Sequence, residues 1–347
     1  MLCKMPTYCK DFRCIADKCK DNCCIGWEID IDPSSAEYYE NVKGDFGDKL
    51  RANINKDEVC SFILCGERCP FLNEKNLCEI IINLGEDKLC QICRDHPRYF
   101  EWYSDIKEGG IGLCCEEAAR IIVTNKEPFS TYEAPCDDEG CDDYNESLYN
   151  MLLFARDEII STLENENLTF KQRIANVLSY AIEVQFNADN YIYDNISIKA
   201  EYPAVITDGD VKGFLECFSC LEPIDENWQD YLDKLIESAD ELQKSLPACG
   251  SDFDLYLKNI AVYFIWRYFL KGVYDEEILS KVFLMAISVA MIKLMYLLEK
   301  PSTDEQFSIF AKNYSKEIEY SEENLEKIYD MVYDNSAFSR DNLLALI

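Results

Sequence analysis

Four thiols fall within eleven residues near the start of the chain, in Cys14-Ile-Ala-Asp-Lys-Cys19-Lys-Asp-Asn-Cys23-Cys24-Ile-Gly-Trp27. Neighbouring cysteines pair with each other poorly, and so short a stretch cannot bury four thiols as ordinary core side chains. A metal or cluster site with several thiolate ligands is the economical reading. A second group follows: Cys60, Cys65, Cys69-Pro-Phe-Leu-Asn-Glu-Lys-Asn-Leu-Cys78 and Cys90-Gln-Ile-Cys93. Asn73 and Asn76 are turn residues flanked by apolar ones, so residues 69–78 read as a hairpin or knuckle that brings its two terminal thiols together. The spacing of Cys90 and Cys93 lets both sulfurs reach one ion or one cluster face. Cys114-Cys115 completes the set.

Other reactive side chains stand close by in sequence. Arg94 and Arg98 offer guanidinium forks that either clamp the carboxylate of a small cofactor or neutralise a thiolate-bound cluster. His96, the only histidine, reads more readily as a polar packing residue than as a ligand. Trp27 reads as a core plug or as a stacking surface beside the thiols. Tyr99, Tyr103 and Glu117 are candidate catalytic residues by proximity in sequence. Glu116 and Glu117 also suit the first turn of a helix that opens after Cys115.

The elements that must position these groups are short at first. Residues 27–32 alternate apolar and acidic residues, which predicts a short strand ended by Pro33, and Ser34 or Ser35 would cap a helix through Tyr38 and Tyr39. Gly109, Gly110 and Gly112 do not form a dinucleotide fingerprint and read as a turn before a strand. Residues 133–146 carry seven acids and no base, with Pro135 and Gly140 among them, which predicts an exposed linker. Beyond it the pattern is helical. Thr169 and Gln172 fit a capping box ahead of Ile174, Val177, Leu178, Ala181 and Ile182 on one face. Further helices are expected near 210–222, 226–245, 253–271, 276–299, 304–319 and 322–334, the third of these capped by Asp252 and ended by Gly272. The apolar run 278–298 is interrupted by Lys281 and Lys293, so it reads as a buried core helix and not as a membrane span. The expected fold is mainly α: a small irregular cysteine-rich metal-binding domain with short strands over 1–132, an acidic linker over 133–146 and an α-helical bundle over 147–347.

Composition sets the boundaries of function. The chain has 347 residues, 48% of them apolar, and a formal net charge of −32. Such an acidic excess disfavours nucleic acid and anionic membrane as partners and favours a lysine-bearing protein surface. The first residues lack the apolar run of a secretory signal, so a cytoplasmic location is expected, where nineteen cysteines argue for metal ligation over disulfides. Sixteen of them lie between Cys3 and Cys141, which places the chemistry in the first part of the chain. Cys3, Cys9, Cys136 and Cys141 read as incidental, and Cys217, Cys220 and Cys249 as core thiols.

Four motifs in one order carry a family likeness: Cys14 to Trp27, the knuckle Cys69 to Cys78, Leu84-Gly-Glu-Asp-Lys-Leu-Cys90-Gln-Ile-Cys93 through Pro97-Arg98, and Cys115-Glu-Glu-Ala-Ala-Arg120. Together they resemble the bacterial flagellin lysine N-methylase family, which contains a cysteine-rich zinc- or iron-chelating domain. The resemblance implies transfer of a methyl group from S-adenosylmethionine to surface lysines of flagellin, with an iron–sulfur cluster, 4Fe-4S in the first instance and zinc as the alternative. By position it implies Cys19, Cys23, Cys24, Cys69, Cys78, Cys90, Cys93 and Cys115 as ligands, with Cys14 at the start of the motif. Eight thiols exceed what one four-iron cluster uses, so either some do not ligate or a second metal is present. No strand leading into a glycine-rich turn of the doubly wound kind is apparent, so the cofactor would bind at or beside the cluster. The competing reading is a zinc-knuckle interaction module without catalysis.

Overall fold

The computed structural model describes residues 1–26, 28–56, 59–103, 106–136, 140, 144–199, 208–246 and 251–347, without the side chains of residues 251 and 252. Four strands form a mixed sheet in the order β4-β5-β1-β6: β1 Leu2–Pro6, β4 Arg98–Tyr103, β5 Ile106–Ile111 and β6 Thr131–Pro135. β1 runs parallel to β5 and antiparallel to β6, and β4 is antiparallel to β5. In that register Tyr99 faces Gly110 and Phe100 faces Gly109. The two glycines therefore lie inside β5, where only a missing side chain leaves room for the aromatic rings opposite, and they form no turn. Glu133 and Pro135 likewise sit in β6, so the expected linker begins inside the sheet.

A small unit inserted between β1 and β4 holds most of the cysteines. It contains α1 Pro33–Asn41, α2 Asp45–Ala52, the paired strands β2 Ile54–Asn55 and β3 Ser61–Phe62, α3 Glu79–Leu84 and α4 Gln91–Asp95. Its own core is Ile29, Ile31, Tyr39, Leu50, Phe62, Phe71 and Ile80, together with Cys69 and Cys90. Asp32, not Ser34 or Ser35, caps α1, accepting from the Ser35 N–H at 3.0 Å. Of the expected strand at 27–32, the described residues 28–32 form only an isolated bridge from Asp30 to Ser61, with the Ile31 N–H bonded to the Cys60 carbonyl at 2.7 Å.

The rest is helical: α5 Glu116–Val123, α6 Glu146–Leu163, α7 Phe170–Asp189, α8 Val211–Glu216, α9 Trp228–Glu237, α10 Ala239–Ser245, α11 Ser251–Tyr268, α12 Gly272–Asp275, α13 Ile278–Glu299, α14 Asp304–Glu319, α15 Glu322–Asp334 and α16 Arg340–Leu346. α13 is long and apolar enough to cross a membrane, yet 94% of its apolar window is buried, and α7, α11, α14 and α15 pack against it. Lys281 and Lys293, which interrupt the run, are held by the Asp275 carboxylate and the Ile347 carbonyl, each at 2.7 Å. The capping box of α7 forms as expected, but Ile182 points outward. The chain continues through Gly272 into α12 instead of stopping there, and Asp252 as a cap lies outside the described side chains.

The hydrophobic core divides the chain differently from the expected boundary at 133–146. Met5, Tyr8, Phe12, Tyr103, Ile111, Leu113 and the buried face of α5 share one core with the helical bundle. Sheet and bundle are further joined by a buried bidentate ion pair, Arg156 to Glu108 at 2.5 and 2.7 Å, with Arg156 stacked on the Trp266 ring at 4.3 Å. Only about residues 24–93 form a separate core, because the strands flanking that insert need the bundle to cover them.

Candidate thiol site at the junction of the insert and the bundle

All seventeen described cysteines are free thiols, the other two of the nineteen, Cys141 and Cys249, lying outside the described residues. Their placement follows from local structure. Cys19, Cys23 and Cys24 sit on a loop with no helix or strand of its own beyond an isolated bridge at Ile25. The loop is tied to the knuckle by the Cys69 N–H donating to the Cys24 carbonyl at 2.9 Å. The knuckle closes as its turn residues predict: Asn76 takes a left-handed conformation and the Asn73 side chain accepts from the Lys75 and Leu77 N–H groups. Cys78, Cys90 and Cys115 are the N-cap residues of α3, α4 and α5, where unpaired N–H groups favour negative charge. The N–H groups of Ile80 and Ile81 face Cys78, and those of Glu117 and Ala118 face Cys115.

These placements bring the eight expected ligands into one electrostatic network. Burial pushes Cys69 up to about 11, with Cys78 and Cys90 adding to it. Burial likewise raises Cys78, with contributions from Cys23 and Cys90. Cys93 donates to Cys90, which raises Cys93 and lowers Cys90, and Cys24 and Cys69 raise Cys93 further. Cys23 is raised by donating to Cys24 and by burial, while His96 donates to it and pulls the other way. Cys19 is pushed up to about 11 by burial, with Glu116 and Cys23 contributing, and Cys115 up to about 12 by burial, with Cys114 and Cys23 contributing. Burial and the nearness of other thiols both disfavour the thiolate form here, and a cation among the thiols would offset that.

The donor set fits a thiophilic metal or an iron–sulfur cluster in kind, being soft, reduced and sheltered. Among the described residues, however, no three metal-donor side chains already stand at ion-holding distance. Ligation would therefore have to bring the thiols closer together.

The helical bundle closes the other side of this network. The Glu116 carboxylate accepts from the Lys20 N–H at 2.8 Å and from the Cys19 thiol at 3.8 Å. The Asp21 carboxylate receives Lys312 at 2.5 Å and Lys316 at 2.8 Å, both from α14. Just past α14, the Tyr320 hydroxyl donates to Cys114. Behind Cys114 lies a buried polar knot. Glu319, with no exposed side-chain surface, accepts from Arg267 at 2.8 Å, Tyr263 at 2.8 Å, Tyr268 at 2.9 Å and Ser315 at 2.6 Å. Arg267 also donates to the Tyr263 hydroxyl at 2.6 Å and lies over the Tyr99 ring at 4.5 Å.

The expected catalytic and cofactor-binding residues do not share this fate. Tyr103 is sandwiched between Tyr149 and Tyr274, with centroids 5.6 and 5.8 Å away, and serves the core. Glu117 is spent on a bidentate pair with Arg120 at 2.7 and 2.8 Å, and its neighbour Glu116 is the acid that faces the thiols. Tyr99 is buried beneath Arg267 with its hydroxyl unpartnered, so it backs the polar knot and does not reach the thiols. Arg98 lies over the Phe12 ring at 5.3 Å and faces Cys9, and Arg94 is exposed at the end of α4. Trp27 lies outside the described residues. His96, read as a packing residue, instead touches Cys23. Cys220, expected in the core, is exposed.

Arg267, Glu319, Tyr320, Asp21, Lys312 and Lys316 were missed. Only Arg267 carried a sequence signal, a lone charge in the apolar run 260–270, which marks a buried and therefore paired group. The others depend on how α14 lies across the thiol loop.

Residues 156–346, more than half of the chain, match the family model of the FliB lysine N-methylase C-terminal domain. The chain belongs to that family. It is 24% identical over 136 residues to lysine-N-methylases of Salmonella choleraesuis and Salmonella typhimurium, covering 37% of this chain and 34% of each relative. It is 27% identical over 143 residues to the flagellar biosynthetic protein FliU of Salmonella muenchen, covering 37% of this chain and 80% of that one. The alignment thus spans about a third of the length of the Salmonella lysine-N-methylases. No solved structure matches the chain.

Proposed function

We propose that this protein transfers a methyl group from S-adenosylmethionine to the ε-amine of surface lysines on flagellin, at a site built where the thiol network meets α5 and α14, and that it works in the cytoplasm. The observation that carries the reading is the convergence of Cys19, Cys23, Cys24, Cys69, Cys78, Cys90, Cys93 and Cys115 on one another and on the helical bundle, in a chain of the lysine N-methylase family. An iron–sulfur cluster would take its four thiolates from among Cys69, Cys78, Cys90 and Cys93 of the insert and Cys19, Cys23, Cys24 and Cys115 at the junction, the remaining thiols either not ligating or holding a second metal. When bound, the cluster supplies an inorganic centre on which the amino and carboxylate groups of the cofactor can rest.

The chain's own residues have three tasks. Their acidic surface attracts a lysine-bearing partner, since the net charge is −32. A lysine with an ordinary pKa near ~10.4 must lose its proton before its lone pair can attack the sulfonium methyl. Glu116, partly exposed beside Cys19, is the carboxylate placed to take that proton. The nitrogen–carbon bond then forms as the carbon–sulfur bond breaks, leaving S-adenosylhomocysteine. Finally, the Arg267–Glu319 knot fixes α11 and the end of α14 behind Cys114, so that the junction is rigid on the bundle side.

The test is anaerobic incubation of the iron-loaded full chain with flagellin and S-adenosylmethionine, read by mass spectrometry of lysine peptides. Methylated lysines support the reading, and unmodified flagellin with iron bound overturns it. A second reading has its own observation. Cys69, Cys78, Cys90 and Cys93 all belong to the one small core of the insert or pack against it, a four-thiolate set of the kind that structural zinc takes. Stoichiometric zinc without iron in anaerobically prepared protein would favour it.

A further inference from the structure

The loop that carries Cys19, Cys23 and Cys24 is bonded internally only over short range, as by the Cys19 N–H to the Ala16 carbonyl at 3.1 Å and the Cys24 N–H to the Asn22 side chain at 2.9 Å, so its place in the fold is set by what grips it from either side. On the knuckle side the Cys24 carbonyl receives the Cys69 N–H at 2.9 Å and the Asn22 amide donates to the Asn76 carbonyl at 3.4 Å. On the bundle side the grip spans nearly the whole sequence. Lys312 and Lys316, one turn apart on α14, both reach the same Asp21 oxygen, at 2.5 and 2.8 Å. Lys312 is almost wholly buried, with 8% of its side chain exposed, so this is a sheltered contact and not a solvated surface pair. The neighbouring Lys20–Glu305 pair is more than half exposed on both sides and would hold little.

We propose that Asp21 is a positioning residue: clamped by Lys312 and Lys316, it fixes the Cys19–Cys24 loop to α14 so that its thiols stand in register with Cys115 and the knuckle. α14 then serves the thiol site twice, through this clamp at its middle and through Glu319 at its end. The inference rests on the reading of those thiols as ligands of one centre, and it concerns what holds them in place before any metal arrives.

The clamp is tested in metal-free, reduced full-length protein by timed alkylation with iodoacetamide, resolving each cysteine by peptide mass spectrometry. In Asp21→Asn, the half-buried Cys19 should react about tenfold faster than in the unaltered protein, equivalent to about 1.4 kcal/mol of local opening, while Cys23, already exposed, should change little. Cys69 and Cys90 should keep their rates. The double replacement Lys312→Met with Lys316→Met attacks the clamp from the other side and should give the same pattern, while Asp21→Glu should stay within about twofold of the unaltered protein. An unchanged Cys19 rate in either the asparagine or the double variant overturns the clamp, as does uniform acceleration of all thiols, which signals general loosening. Iron bound after anaerobic reconstitution separates this from the wider reading. Faster labelling of Cys19 with full iron content leaves the clamp standing and removes Cys19 from the ligand set.

Discussion

Replacing Glu319 by glutamine should damage the protein out of proportion to the size of the change. The side chain has no exposed surface and gathers four donors, Arg267, Tyr263, Tyr268 and Ser315, between 2.6 and 2.9 Å. Glutamine preserves the volume but removes the charge and turns one acceptor into a donor. Arg267, only 17% exposed, would then be a buried cation whose remaining neighbours are the Tyr263 hydroxyl and the faces of Tyr99 and Tyr268. Breaking a buried pair by removing one partner costs about 3–5 kcal/mol. Typical domain stabilities are only about 5–15 kcal/mol, so a large fraction would be lost. At roughly 2–4 °C per kcal/mol for a domain of this size, the melting temperature should fall by roughly 6–20 °C. Urea unfolding of the full chain measures this directly. The partner replacement Arg267→Met should also destabilise, and the double variant should lose clearly less than the sum of the two. A Glu319→Gln protein within about 0.5 kcal/mol of the original, or strictly additive losses, would refute the buried pair.

The same logic applies where the sheet meets the bundle. Arg156→Met should cost about 3–5 kcal/mol by stranding Glu108, and adding Glu108→Leu should recover most of it, both read from urea midpoints. Gly110→Ala would place a methyl 2.4 Å from the Tyr99 hydroxyl oxygen, so it should cost about 1–3 kcal/mol, and less when Tyr99→Leu is already present. Asp32 links α1 to the start of α4 by accepting from the Ser34 hydroxyl and from the Ser35 and Gln91 N–H groups. Burial alone would raise its carboxyl, but those donors outweigh burial and hold it well below the usual carboxylate range. Because its folded value lies below the unfolded one, its contribution is complete above about pH 4 and is lost as pH falls from there. Acid titration of stability should therefore be flatter below about pH 4 in Asp32→Asn than in the original.

The helical half was largely legible because its signals are local. α14 and α15 begin and end where periodicity and caps place them, and the lysines interrupting α13 mark it as a buried core helix. The thiols were legible as a set, since spacing and turn residues around 69–78 and 90–93 are also local. What escaped was long-range. Tyr99, Tyr103 and Glu117 were chosen for nearness in sequence, yet β4 alternates its faces and turns Tyr103 into the core, while Arg120 captures Glu117 one helical turn on. The pairings that close the junction, Asp21 with Lys312 and Cys114 with Tyr320, join residues roughly 200 to 300 positions apart, which no periodicity encodes. The division of the core was missed for a similar reason: the acids around 137–143 suggest a boundary, but the strand before them is already paired with β1.

The central claim is that the early thiols supply the ligands of an iron–sulfur centre at the face of the bundle. Anaerobic reconstitution of the full chain, with iron and acid-labile sulfide quantified beside the visible spectrum, tests it most directly. The account predicts a brown protein holding iron and sulfide in equal amounts, which lose binding when Cys90 and Cys93 are changed to serine and again when Cys23 and Cys115 are. A colourless protein that takes up no iron, or iron content untouched by either pair of replacements, would contradict it.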